Sequence, residues 1–151
     1  PRSALAAVLA QITKFSEQHG LEVANVFHAG DGNLHPLILY DANKAGEIER
    51  AEAFGADILN LCIEVGGTIT GEHGVGVEKI DQMCVQFTPE ELELFHGVKS
   101  AFDESRILNP GKAVPTLSRC AEFGAMHVHT DGSQQTHVGL NAQKYSDLER
   151  F

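Results

Sequence analysis

Val23-Ala-Asn-Val-Phe-His28-Ala-Gly-Asp-Gly-Asn-Leu-His35-Pro-Leu-Ile-Leu-Tyr40 is the stretch whose reading decides the fold. Apolar residues flank a glycine-rich centre on both sides, the pattern of two strands joined by a tight connection. Gly30 and Gly32 supply backbone freedom, and Asp31 and Asn33 are residue types that form turns. A turn near Gly30 to Asn33 predicts that His28 and His35 lie opposite each other near the hairpin tip. Cross-strand neighbours are about 4.5–5.5 Å apart at Cβ, a separation that permits a shared metal ion.

Upstream, Leu5, Val8, Leu9, Ile12 and Phe15 repeat at helical spacing, which predicts an amphipathic helix over 3–19 stopped by Gly20. Downstream, Asp41-Ala-Asn43 resembles a cap, and Ile48, Ala51, Phe54, Ile58, Leu61 and Cys62 mark a helix ending at Gly66-Gly67. Thr68-Ile69-Thr70 is β-branched and predicts a brief strand that delivers Glu72 and His73 into the loop Gly71-Glu-His-Gly-Val-Gly76. A short helix is expected from Val77 to Met83. Thr88-Pro89-Glu90-Glu91 combines an N-cap, a first-turn proline and early acids, so a helix should run to about Phe102. Ile107-Leu-Asn-Pro-Gly-Lys112 reads as an ordered loop. Beyond Thr116 periodicity dissolves, which divides the chain into 1–116 and a loosely packed tail, 117–151.

The chain has 151 residues, 42% of them hydrophobic, enough for one domain with a core and too few for two ordinary ones. Twenty-one carboxylates against eleven Lys and Arg give a net charge of -10, which disfavours nucleic acid and anionic membrane surfaces. No apolar run approaches the roughly 18 residues of a transmembrane helix. Cys62, Cys84 and Cys120 include no C-x-x-C pair, and an odd count argues against a disulfide framework; a reducing cytosol is the expectation. The start at proline rather than methionine marks the chain as a piece of something longer.

Neutral imidazoles bind zinc, iron and manganese, and three protein ligands with an open position make a catalytic metal site. His28, His35 and Glu72 are the candidate ligands. His73, beside Glu72, is the candidate general base, because imidazole accepts protons near neutral pH. A metal there would hold substrate oxygens and lower the pKa of a bound hydroxyl. Each residue alone has an ordinary reading as a strand-end, loop or solvated side chain; their combination carries the expectation. The glycine loop at 71–76 fits neither a Walker motif nor a dinucleotide fingerprint. His127 and His129 read as solvated tail residues, and Cys62 as a core residue.

Asn25–Leu39, Gly66–Gly76 and Ile107–Lys112, in this order and spacing, resemble the C-terminal part of FAD-linked 2-hydroxy-acid dehydrogenases of the vanillyl-alcohol-oxidase type. That family includes the flavin-bearing subunits of bacterial glycolate oxidase and D-lactate dehydrogenases. The resemblance covers most of residues 1 to about 116, and Leu148-Glu-Arg-Phe151 also looks like the family's end. It implies an α+β fold with helices packed on one face of an antiparallel sheet. It further implies oxidation of a small 2-hydroxy acid, such as glycolate or D-lactate, to the 2-oxo acid. The hydride would pass to FAD, His28, His35 and Glu72 would hold a divalent metal, His73 would act as base, and Asn109 would approach the flavin. FAD would be bound mainly by a domain that this chain lacks, so 151 residues should not turn over alone. Iron-sulfur subunits as partners, and a cytoplasmic location peripheral to the inner membrane through them, follow from the resemblance. So does self-association through a sheet that lacks part of its cover. Two other readings compete: a metal-dependent hydrolase using the His-His-Glu site without flavin, and a non-catalytic interaction module with structural histidines.

Overall fold

A computed structural model describes residues 1–122. After a single 3-10 turn at Arg2–Ala4, the elements are α1 (Leu5–His19), β1 (Glu22–His28), β2 (Asn33–Leu39), α2 (Glu47–Glu64), α3 (Ile80–Gln86), α4 (Pro89–Phe102) and α5 (Leu117–Glu122). They are α+β as expected, with β1 and β2 forming a two-stranded antiparallel sheet. The chain divides into two compact units, one through Gly71 and the other from Glu72 onward.

In the first unit α1 ends at Gly20, whose left-handed φ of 63° closes the helix as its periodicity predicts. The apolar stripe of α1 buries Val8, Ile12 and Phe15, and α2 answers with Ala51, Phe54, Ile58 and Leu61. Each fully buried side chain of this size stabilises the fold by about 1.5–3 kcal/mol. His19 fastens the two helices at one end: it stacks on Phe54, with ring centroids 5.3 Å apart, and its Nε2 lies 2.9 Å from Asp57 Oδ2. Gly55 of α2 faces the sheet, where a Cβ would lie in ordinary contact with Ile38 Cδ1 at 3.9 Å. Val23, Asn25, Leu34, Pro36 and Ile38 therefore make the half-buried helix-facing side of the hairpin. Ala24, Val26, Leu37 and Leu39 are exposed on the other side, together with His28.

Several local expectations need correcting. Asn43 does not cap α2. Asp41 Oδ1 instead accepts the Asn43 amide at 2.9 Å in an Asx turn, and the helix starts four residues after Asn43, behind a left-handed Gly46. Thr68-Ile69-Thr70 is not a strand; among the described residues the sheet is the hairpin alone, and Ile69 is instead buried in the core. The short helix after the glycine loop begins at Ile80 rather than Val77, following a turn.

In the second unit α4 starts as predicted. Thr88 Oγ1 accepts the Glu91 amide and Glu91 Oε2 accepts the Thr88 amide, a complete capping box with Pro89 in the first turn. Ile80, Met83 and Leu92 are buried, and Phe87 meets Phe95 edge to face at 5.0 Å. The first residues of the expected tail, Leu117–Glu122, are helical, and 123–151 lie outside the described residues. Cys84 and Cys120 form a disulfide with Cα atoms 5.2 Å apart, and Arg119 Nε donates to Asp81 Oδ1. The expectation of unpaired cysteines fails because the two partners stand 36 positions apart in sequence, and with it goes the argument from cysteine usage for a reducing compartment. Cys62 is half-buried rather than fully in the core. His127, His129 and the terminal Leu148–Phe151 lie outside the described residues.

Candidate metal and substrate site

The hairpin turn is built on the carbonyl of His28, which accepts the amides of Asp31 at 3.0 Å and Gly32 at 3.1 Å. Gly32 takes φ 74°, a value that suits glycine. Arg2 leans on this turn, with Nη1 3.5 Å from the Gly30 carbonyl. Asn33 is not a turn residue, since it opens β2 opposite His28. His35 pairs with Val26, so the two histidines are diagonal neighbours rather than directly opposite. They still leave the same face of the sheet, because 26 and 28 share parity along β1. Their rings meet edge to face with centroids 5.3 Å apart, and a nitrogen of each lies within 4.8 Å of the other's. His28 is exposed and His35 half-buried, so the pair is reachable and one member is held.

Asn33 holds that member. Its Nδ2 lies 3.4 Å from His35 Nε2. Period-two spacing along the strand could have indicated this neighbour, because residues i and i+2 share a face. Gly71, the last residue of the first unit, packs so closely on Asn33 that a Cβ there would stand 2.6 Å from Asn33 Oδ1.

In the second unit Glu72 and His73 pair, with His73 Nε2 3.0 Å from Glu72 Oε1 and both side chains exposed. The loop that follows is tied to the Asn109 segment by the Ala113 amide, which donates to the Gly76 carbonyl at 2.8 Å. Asn109 is exposed at φ 44°, between Arg106 at 54° and Ala113 at 66°, the left-handed non-glycine residues among those described. Such backbone needs outside support. Asp103 supplies it by accepting the amides of Ile107 at 2.9 Å and Leu108 at 3.0 Å, while the Pro115 carbonyl accepts from His96 Nε2 at 2.9 Å. Neither anchor was singled out from the sequence, although Lys99 and Asp103 are spaced as an i, i+4 pair.

Residues 1–113 match the family model for FAD linked oxidases, C-terminal domain. The chain belongs to that family. Among curated proteins, the chain is 65% identical over its whole length to glycolate oxidase subunit GlcD of Escherichia coli K12, covering 28% of that protein. It is 41% identical over 74% of its length to glycolate oxidase subunit GlcD of Bacillus subtilis, covering 24% of it. A D-lactate dehydrogenase of Archaeoglobus fulgidus is 37% identical over 78% of the chain, which covers 26% of that protein. The chain thus spans 24% to 28% of the length of these relatives. Among the described residues no helix is long and apolar enough to cross a membrane.

Proposed function

We propose that this chain is the substrate-side part of an FAD-dependent enzyme that oxidises a small 2-hydroxy acid, of the glycolate or D-lactate type, to its 2-oxo acid. The observation that carries the reading is the His28–His35 pair, two imidazoles converging on one sheet face within 4.8 Å. Two neutral nitrogen donors and a carboxylate are a donor set for zinc, iron or manganese. Glu72 is the third ligand of the proposal. It follows directly on Gly71, whose backbone is packed against Asn33 beside His35.

In this reading His28, His35 and Glu72 hold the cation, and His73 takes the proton of the substrate's 2-hydroxyl. The Glu72 carboxylate beside His73 Nε2 then stabilises the imidazolium that forms. Asn109, held on a braced loop, faces the flavin. A bound divalent cation polarises the carboxylate and 2-hydroxyl oxygens of the substrate. FAD, when bound, would supply the acceptor for the hydride that leaves C2 of the substrate. Relatives named as subunits support further polypeptides as partners; that these include iron-sulfur proteins, and that they hold the enzyme at the cytoplasmic side of the inner membrane, belongs to the proposal through the family resemblance alone. On α4, Leu94, Val98 and Phe102 form an exposed stripe at i, i+4, i+8, which supports a covered face in a larger assembly and self-association of the chain alone.

Metal analysis after loading with Mn2+ and desalting tests the reading. Near-stoichiometric retention that a His28→Ala/His35→Ala variant loses, together with tighter cation retention in the presence of glycolate or D-lactate, is the expected result. Equal retention by both proteins would overturn the ligand assignment.

A further inference from the structure

We infer that Asn33 is a positioning residue for His35, and that residue 71 is glycine because the Asn33 amide occupies the space a side chain would need. This rests on the reading of His35 as a cation ligand. Asn33 and His35 leave the same face of β2 two residues apart, and the amide nitrogen reaches Nε2 at 3.4 Å. On the far side of the amide is the Gly71 backbone. A Cβ on residue 71 would approach Oδ1 to 2.6 Å, Cγ to 2.9 Å and Nδ2 to 3.2 Å.

Gly71 is not among the glycines with positive φ, so any L residue could adopt its backbone and the demand for glycine is steric. The obstructing group can give way only by leaving its place beside His35. Asn33 has a short side chain on a paired strand, and the whole amide, not a flexible tip, faces residue 71. The amide is therefore seated between the ring of one proposed ligand and the backbone that leads into another.

A side-chain amide can serve an imidazole from either end, donating Nδ2–H to a bare nitrogen or accepting a ring N–H at Oδ1. Either contact restrains rotation of the ring and favours one tautomer. Outer partners of metal-binding histidines act in this way, and losing one typically lowers cation affinity about 10–100-fold.

The test compares Mn2+ binding by titration calorimetry in the whole chain and in its Asn33→Ala, Gly71→Ala and doubly substituted forms. A second readout is the His35 tautomer ratio, from long-range 1H–15N NMR of the cation-free proteins at one pH. Asn33→Ala should weaken Mn2+ binding about 10-fold or more and shift the tautomer ratio. Gly71→Ala should weaken binding by pushing the amide away. The double variant should be no weaker than Asn33→Ala, because the clash disappears with the amide. An unchanged tautomer ratio in Asn33→Ala, or losses that simply multiply in the double variant, would overturn the inference. A wild-type chain that binds no Mn2+ would instead remove the cation reading, and the tautomer comparison would still decide whether Asn33 governs His35.

Discussion

Lys99 and Asp103 meet one helical turn apart at the end of α4, where Lys99 Nζ donates to Asp103 Oδ2 at 2.9 Å. The same ammonium donates to the Leu108 carbonyl at 2.7 Å, while the carboxylate accepts the Ile107 and Leu108 amides. One ion pair thus grips both the donor and the acceptor of Leu108, immediately before Asn109. Asp103→Ala should release this grip and accelerate hydrogen exchange at the Ile107 and Leu108 amides while leaving the hairpin amides unchanged. Asp103→Asn, which keeps one accepting oxygen, should produce a smaller increase.

The Lys99 ammonium holds the Asp103 carboxyl below the usual aspartate range, helped by the two backbone amides. A carboxyl whose folded pKa is lowered contributes stability above its unfolded pKa and loses it as pH falls through the folded value. The contribution of Asp103 should therefore be complete above about pH 4 and fall away below it. Acid titration followed by near-ultraviolet circular dichroism should show this loss, and a Lys99→Met variant should begin to lose structure at higher pH than wild type.

The Cys84–Cys120 disulfide closes a sequence separation of 36 residues. Bonds closing loops of this length commonly stabilise by about 2–4 kcal/mol. Reduction, or Cys84→Ser, should lower stability on that scale and open Leu117–Glu122 to proteolysis, because α5 would then depend on non-covalent contacts such as the Arg119–Asp81 pair and the turn at Thr116. A digestion pattern unchanged by reductant would show that the pairing does not secure α5.

Phe54 is fully buried and both packs the α1–α2 contact and stacks on His19. Phe54→Ala should cost about 3–5 kcal/mol, measured by urea unfolding. Thr88→Ala removes a cap from a solvent-facing helix end and should cost about 1 kcal/mol.

Features set by neighbours in sequence were legible before the structure. The Gly20 stop, the Gly66-Gly67 helix end, the capping box at Thr88 and the hairpin itself all depend on residues within one or two turns of chain. What escaped depends on distant neighbours or on register. Cys84 finds Cys120 only once α3 and α5 pack. Thr68-Ile69-Thr70 has strand composition, but Ile69 gains more from the core than from an unpaired edge. The two histidines were expected face to face, but the four-residue turn over 29–32 pairs His28 with Asn33 and shifts His35 by one pleat. Asn33 lies beside His35 whatever the register, because the two stand two residues apart on one strand. Glu72 and His73 are neighbours in sequence, and their side chains also meet.

Pro36 sits in β2 opposite Asn25 and has no amide hydrogen to give to the ladder, so it fits only where its nitrogen faces away from β1. Sliding β2 by one residue would turn that nitrogen toward β1 and carry His35 to the helix-facing side. The length of the segment between His28 and Asn33 is consequently under tighter constraint than its composition. Substitutions at Ala29 or Asp31 should be absorbed as ordinary surface changes. A single inserted or deleted residue there would either bulge the strand or separate the imidazoles onto opposite faces, so tolerance to indels should collapse at this turn while tolerance to point changes remains.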